Sequence, residues 1–162
     1  MRCFSFVIAL LLSGCGLFSE KPRFDEMLTV TQISDGDSFV ALTGDKTEVR
    51  LRIHGIDAPE KGQPYSQKSK QQLSDYIFRK QVYIQIEDTD RYGRKVVKVF
   101  TPDSTDVGLQ MIRSGLAWHY TAYDNSKNYA AAEKEARQKQ LGLWNDSNPT
   151  PPWKWRAEKR KK

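Results

Sequence analysis

The sequence predicts a mainly β, α+β domain, because short alternating apolar runs are separated by turn-forming residues and only a few stretches have helical spacing. Three strand-like runs come first, and one helical stretch separates the third run from a fourth and a fifth. Five short strands with a helix between the third and the fourth is the order of an OB-fold barrel. We therefore expect a five-stranded OB-fold barrel with about three packed helices over residues 27–156.

The first three strands are predicted to form a meander. Residues 34–37 and 43–46 have the composition of tight turns, and the middle strand lies between them over residues 38–42. Alternation defines the faces of the other two strands: Leu28, Val30 and Gln32 oppose Thr29, Thr31 and Ile33 in the first, while Val49, Leu51 and Ile53 oppose Glu48, Arg50 and Arg52 in the third.

The second half of the chain adds the helices and the last two strands. Residues 66–78 are predicted to form the first helix, with Leu73 and Ile77 one turn apart. Residues 107–114 and 128–140 predict two further helices, the second of them ended by Leu141-Gly142. The fourth and fifth strands are marked by Val82, Ile84 and Ile86, and by Val97 and Val99.

The beginning of the chain predicts export. Arg2 precedes an apolar run of signal-peptide length over residues 3–12, well short of the roughly 20 residues of a membrane-spanning helix. The sequence Leu12-Ser13-Gly14-Cys15 resembles a bacterial lipobox, so we expect a signal peptide of residues 1–14, lipid on the sulfur of Cys15, and a tether over residues 15–26. An uncleaved signal anchor and a plain secreted protein are the alternatives.

Lipidation would place the protein in the cell envelope as a membrane-anchored lipoprotein. Gly16, rather than aspartate, after the cysteine favours the outer membrane in a cell that has one. Cys3 would leave with the signal and Cys15 would carry the lipid. The folded part would then have no thiol, which excludes disulfides, cysteine-based zinc sites and a cysteine nucleophile.

The net charge of +6 is concentrated at the end of the chain, where residues 153–162 contain six Lys or Arg and one Glu. Before this segment the exported chain has equal numbers of acidic and basic residues. The basic tail of residues 157–162 is interpreted as a solvated end or as an accessory that binds phosphates.

Three short segments hold the candidate chemistry: residues 33–38, 52–60 and 90–94. Each segment alone is typical of a turn, since Asp-Gly between apolar runs is a strong hairpin signal and a proline fixes a bend. Together they contain the groups that hydrolysis of a phosphodiester requires, namely ligands for a cation, a base for water, and donors to the phosphate oxygens.

The residue types suggest one role for each group. Asp37 and Asp57 offer the hard oxygen ligands that Ca²⁺ prefers, with backbone carbonyls and water in the remaining positions. Glu60 is available as the general base. Arg52 and Arg94 carry planar, permanently charged forks that pair with phosphate.

The combination of Asp-Gly-Asp, Arg-x₄-Asp-x-Pro-Glu and Asp-x-x-Gly-Arg resembles the thermonuclease (staphylococcal-nuclease-like) family. Gly115-Leu116-Ala117-Trp118, Leu141-Gly142-Leu143-Trp144 and Pro151-Pro152-Trp153-Lys154-Trp155-Arg156 strengthen the resemblance, which covers about residues 27–156. It implies an OB-fold barrel with added helices. It also implies a calcium-dependent endonuclease that acts on DNA and RNA and leaves 3′-phosphate ends.

Carried over to this chain, the resemblance assigns Asp37 and Asp57 as calcium ligands, Glu60 as the base that orients water, and Arg52 and Arg94 as phosphate clamps. Asp35 corresponds to an acid that supports the site. Ala58 stands where the best-known members have threonine, whose backbone carbonyl helps to hold calcium. Alanine keeps that carbonyl, so a looser calcium site is expected rather than loss of activity.

The aromatic and imidazole side chains allow more than one interpretation. Tyr92, Tyr120 and Tyr123 are candidates for stacking on bases, and packing at the core or rim is the alternative. His54 is interpreted as a strand residue and His119 as a rim residue, because no third ligand lies at metal spacing.

Hydrolysis is not the only function that this fold class allows. The main alternative is a non-catalytic OB-fold lipoprotein that binds nucleic acid or protein, and a structural envelope lipoprotein is a third. A binding module would not require Glu60 and Arg94, so their presence favours the enzyme, which we expect to be a monomer.

Overall fold

A computed structural model describes residues 23–161. The predicted signal peptide, Cys15 and most of the tether lie outside the described residues. The strands are β1 (Glu26–Ile33), β2 (Ser38–Leu42), β3 (Glu48–Ile53), β4 (Ile56–Asp57), β5 (Gln81–Thr89), β6 (Lys95–Phe100) and β7 (Trp118–His119). The helices are α1 (Ser66–Ile77), α2 (Val107–Arg113), α3 (Lys127–Gln138) and α4 (Pro152–Lys159), with a 3₁₀ helix at Gly142–Asn145.

Five of the strands form a closed barrel in the order β1-β2-β3-β6-β5, and β5 pairs with β1 to complete it. All neighbours are antiparallel except β3 and β6, which run parallel. Closure leaves the barrel itself without an edge strand. The prediction of a five-stranded OB-fold barrel is confirmed. Outside the barrel, β4 pairs with β7, with Ile56 opposite His119 and Asp57 opposite Trp118.

Apolar side chains on the inner face of each barrel strand form the main core, which α1 and α2 cover with Leu73, Ile77, Met111 and Ile112. The alternation predicted for β1 is wrong at its end, where Ile33 is buried and Gln32 is exposed. A bulge between Val30 and Gln32 shifts the register and exchanges the two faces.

Local sequence explains where three helices begin. The carboxylate of Asp106 accepts the Leu109 N–H at 3.0 Å at the start of α2, and the Ser126 hydroxyl accepts the Tyr129 N–H at 3.3 Å at the start of α3. Pro152 is the first residue of α4, where a missing N–H costs nothing. Among residues 23–161, no helix combines the length and apolar character needed to cross a bilayer.

The helix α4 was not predicted, and it extends through residues 157–159 of the predicted tail. A second hydrophobic cluster, formed mainly by tryptophans, packs α4 against the rest of the domain. The ring of Trp118 lies edge-on to Trp144 at 4.4 Å and to Trp153 of α4 at 5.5 Å between centroids. This packing holds the last helix beside the paired strands β4 and β7.

The end of α3 differs from the expected position. The helix ends at Gln138, and Gln140 takes the left-handed conformation, while Gly142 opens the 3₁₀ helix. A Cβ on Gly142 would overlap the carbonyl of Gly115, which explains the glycine there by close backbone approach.

Candidate active site

The first acids of the site meet where β2, β3 and β4 adjoin. Ser38 at the start of β2 pairs with Arg52 of β3, and the carbonyl of Asp37 accepts the Ile53 N–H at 2.8 Å. A two-residue turn after Ile53 then reverses the chain into β4, which brings Asp57 beside Arg52. Asp37, Arg52 and Asp57, which span 21 residues of sequence, thus lie together at one end of the barrel wall.

Arg52 bridges the two aspartates. Its Nη2 lies 3.1 Å from Asp37 Oδ2 and 2.8 Å from Asp57 Oδ1. The Asp37 carboxylate accepts two further hydrogen bonds. The Ser38 hydroxyl donates to Oδ1 at 2.8 Å, and the Ala58 N–H donates to Oδ2 at 3.0 Å. One cationic nitrogen therefore already stands between the two carboxylates proposed as metal ligands.

Gly36 lets the turn between the two acids approach α1. Its φ is not positive, so left-handed geometry is not what requires glycine here. A Cβ at this position would overlap the hydroxyl of Ser69 and lie 2.8 Å from the Ala58 Cβ. Ser69 is itself buried and donates to the Leu116 carbonyl at 2.7 Å, so it has little freedom to move away.

Burial disfavours the charged form of two acids at this end of the site. Burial, together with repulsion from Asp37, raises the pKa of Asp35 to about 7. Burial also raises the pKa of Asp57, although hydrogen bonds from Arg156 oppose the rise. A divalent cation would relieve both effects, and hard carboxylate oxygens are the donors that calcium prefers.

No group of three or more His, Cys, Asp or Glu side chains within residues 23–161 is arranged to hold a metal by itself. With Asp37 and Asp57 as its acidic side-chain ligands, as the family resemblance implies, a calcium ion here would need backbone oxygens and water for the remainder. The donor chemistry of the two aspartates fits such an ion.

Arg156, which is not among the predicted site residues, reaches this site from α4. Its Nη2 donates to Asp57 Oδ2 at 2.8 Å, and its Nη1 lies 3.1 Å from Asp57 Oδ1 and 2.6 Å from Glu60 Oε1. The sequence feature that could have indicated Arg156 as a site residue is its place in the Pro-Pro-Trp-Lys-Trp-Arg motif of residues 151–156. It was obscured by the five other cations of the same basic segment.

Arg94 approaches from the turn between β5 and β6. Its Nε and Nη2 donate to Asp90 Oδ2 at 2.8 and 2.7 Å, and its Nη1 donates to the Ser38 hydroxyl at 3.1 Å. The predicted site residues and Arg156 consequently form one continuous network, which runs Arg94–Ser38–Asp37–Arg52–Asp57–Arg156–Glu60.

The three candidate stacking tyrosines have different surroundings. Tyr92 is 68% exposed, and the guanidinium of Arg94 lies 5.7 Å from its ring centroid. Tyr123 is 70% exposed. Tyr120 stacks almost parallel on Trp153 at 5.4 Å, so one face of its ring is used in packing. Tyr92 and Tyr123 remain the more accessible rings for a base.

Neither histidine lies where it was predicted, in a strand for His54 and at the rim for His119. Both approach Asp124. His54 is in the turn after β3 rather than in a strand, and its Nε2 lies 3.5 Å from Asp124 Oδ2. His119 is 4% exposed rather than at the rim, and its Nε2 lies 2.9 Å from Asp124 Oδ1. Asp124 fastens the turn between β7 and α3 to the end of β3.

Comparison with known proteins places the chain among nucleases. The sequence profile of the family described as Staphylococcal nuclease homologue matches residues 50–146. An "Uncharacterized endonuclease" of Haemophilus influenzae is 36% identical over 154 residues, which are 95% of this chain and 83% of that protein. A "Micrococcal nuclease" of Shigella flexneri is 38% identical over 137 residues, 78% of each chain. A "Probable staphylococcal-like nuclease CAN1" of rice is 43% identical over 111 residues, 68% of this chain and 33% of that protein.

Proposed function

Because the chain belongs to the Staphylococcal nuclease homologue family, we propose that it is a calcium-dependent endonuclease that hydrolyses phosphodiester bonds of DNA, RNA or both and leaves 3′-phosphate ends. The observation that best supports a catalytic role is the network that joins two buried aspartates, a glutamate and three arginines at one end of the barrel. A module that only binds nucleic acid would require neither Glu60 nor Arg94.

Asp37 and Asp57 would hold the calcium ion, and the family resemblance adds the backbone carbonyl of Ala58. Bound calcium would offset the negative charge that the phosphate gains as water attacks. Asp35 is half-buried beside Asp37 and would support the site rather than bind the metal. Its carboxylate accepts the Asp37 N–H at 3.1 Å and so holds the turn that carries the ligand.

Glu60 would remove the proton from the attacking water. Its side chain is 38% exposed, so water can reach it. Arg156 holds Oε1, and no hydrogen bond from the described residues reaches Oε2, which is the oxygen left to accept the proton.

Arg52 and Arg94 would donate to the oxygens of the phosphate. The Ser38 hydroxyl links Arg94 to Asp37. Asp90 and Ser38 accept three of the five guanidinium N–H groups, and the Arg94 side chain is 25% exposed, so the other two N–H groups are available to an incoming phosphate. The charge that develops in the transition state would then be neutralised by fixed donors rather than by reorganised water.

The test uses the purified chain that begins at Gly16, with plasmid DNA and RNA as substrates, in calcium, in magnesium and with a calcium-specific chelator. We expect the substrates to be cut in calcium, and to stay uncut in magnesium and in the chelator. We expect Glu60→Gln to lose most turnover and to keep its affinity for DNA, because the base acts on water and not on substrate binding. Binding without cutting in every metal would favour the non-catalytic module, and equal losses of binding and turnover would reject Glu60 as the base.

The lipobox supports a further proposal, that the protein is exported, carries lipid on Cys15 and is anchored as a monomer in the envelope, at the outer membrane in a cell that has one. Metabolic labelling with a fatty acid, which should depend on Cys15, is the measurement that checks it.

A further inference from the structure

The end of the chain is joined to the loop that carries Glu60. Arg156 uses both terminal nitrogens on Asp57 and one of them also on Glu60, across 99 and 96 residues of sequence. These contacts are at 2.6 to 3.1 Å, the lengths of charge-assisted hydrogen bonds. A single guanidinium thereby sets the position of one carboxylate relative to the other.

The side chain of Gln63 makes a second connection between the Glu60 loop and the C-terminal segment, through backbone groups of both. Gln63 is buried, its Oε1 accepts the Glu60 N–H at 3.0 Å, and its Nε2 donates to the carbonyl of Thr150. Thr150 lies just before α4. The Glu60 loop is therefore attached to the C-terminal segment through its backbone as well as through its carboxylate.

The helix α4 is held in place without the help of Arg156. Pro152 is buried, and Trp153 packs on Tyr120 and Trp118. A change at Arg156 should therefore alter the site and leave the helix docked.

We propose that Arg156 is a positioning residue for the hydrolysis reaction, and that it holds the Glu60 carboxylate beside Asp57 so that the base is aimed at the attacking water. The inference rests on the proposed function. Without the guanidinium, two carboxylates of like charge would face each other, and a 38% exposed glutamate would rotate on its loop. Lysine cannot replace it, because one ammonium cannot present a fork to Asp57 and reach Glu60 at once.

The experiment compares Arg156→Ala and Arg156→Lys with Lys154→Ala in the same purified chain and in calcium. Lys154 is an exposed cation two residues earlier on α4, so its side chain leaves the helix on another side. We expect kcat to fall by about 10- to 100-fold in both Arg156 variants, with KM changed by less than about threefold, since misplacing a catalytic group by about 1 Å costs rates of that order. Lys154→Ala should keep the wild-type kcat.

Two further measurements separate positioning from loss of structure. Millimolar guanidinium should restore part of the kcat of Arg156→Ala and none of that of Glu60→Gln. The melting temperatures of wild type, Arg156→Ala, Glu60→Gln and the double variant should show losses that are less than additive. Wild-type kcat in Arg156→Ala, a change in KM alone, no rescue by guanidinium, or additive melting losses would each overturn the proposal.

The melting series does not depend on activity. If the wild-type chain cuts no substrate in any metal, the proposed function fails, and the positioning role fails with it even where the melting losses show that the two side chains pair. If the wild-type chain cuts and the Arg156 variants cut equally well, only the positioning role fails.

Discussion

The guanidinium of Arg94 is held by two neighbours before any substrate arrives. Asp90 accepts two of its N–H groups, and the Ser38 hydroxyl accepts a third. Ser38 also donates to Asp37, so the arginine is tied to a proposed calcium ligand. These contacts reduce the rotamer freedom that Arg94 would otherwise lose when it clamps a phosphate.

Arg94→Lys tests this arrangement at a single residue. An ammonium cannot contact Asp90, Ser38 and two phosphate oxygens with fixed planar geometry, so we expect the barrier to rise by roughly 2–4 kcal/mol, as for loss of an oxyanion donor. Steady-state kcat/KM on plasmid DNA in calcium measures it. Wild-type kcat/KM in this variant would exclude the clamp role.

Among the structural elements, the turn between β7 and α3 depends on one carboxylate. Asp124 accepts the Ser126 N–H at 2.8 Å and lies against both histidines, so it joins the start of α3 to β7 and to the end of β3. Burial opposes ionisation of Asp124, but the hydrogen bonds from Ser126 and His119 outweigh it and lower the pKa of Asp124. The folded state therefore favours the charged form.

Asp124→Asn is expected to reduce the free energy of unfolding by roughly 1–3 kcal/mol at neutral pH, as for loss of a charged hydrogen-bond partner. Since the folded pKa lies below the ordinary value of 3.8, the stabilisation is complete above that value and is lost as pH falls through the folded pKa. Urea titrations at several pH values measure both effects. The exposed Asp75→Asn should change stability by less than about 0.5 kcal/mol, and an equal loss in both variants would contradict the role.

Over the whole molecule, the net positive charge is concentrated in residues 153–162, and α4 carries part of it to the candidate site. Arg156 lies in the site, and Lys159 and Arg160 follow it by one helical turn, exposed at the end of α4. A polyanion that reaches the phosphate clamps would therefore also pass these two cations.

Replacing Lys159 and Arg160 together by glutamine should reduce the slope of log K against log salt for DNA binding by about 1–2, since each phosphate contact contributes roughly 0.7–0.9. Fluorescence anisotropy in the chelator measures the slope without cleavage. Lys98→Gln with Lys139→Gln removes the same charge from lysines already paired with Glu87 and Glu135, and should leave the slope unchanged. Equal slopes in wild type and in the Lys159/Arg160 variant would mean that this end is only solvated.

Local pattern was sufficient to predict the barrel. Alternation identified β1 and β3, turn residues placed β2 between them, and the order of the elements indicated the OB-fold. The three polar segments identified Asp37, Arg52, Asp57, Glu60 and Arg94, because each residue type suits one role in phosphodiester hydrolysis. The fold prediction succeeded because it depends on neighbours within a few residues. The site residues rest on a set of motifs shared by the family, and their roles stay predictions.

Contacts between distant segments were decided only by the tertiary structure. The bulge in β1, the two histidines on Asp124, and Arg156 on Asp57 and Glu60 depend on how separate elements pack. Nothing in the spacing of a basic segment distinguishes a cation that enters a site from one that remains in solvent. The tryptophans around α4 decide it, since their packing places one arginine, out of six cations near the end of the chain, against the carboxylates of Asp57 and Glu60.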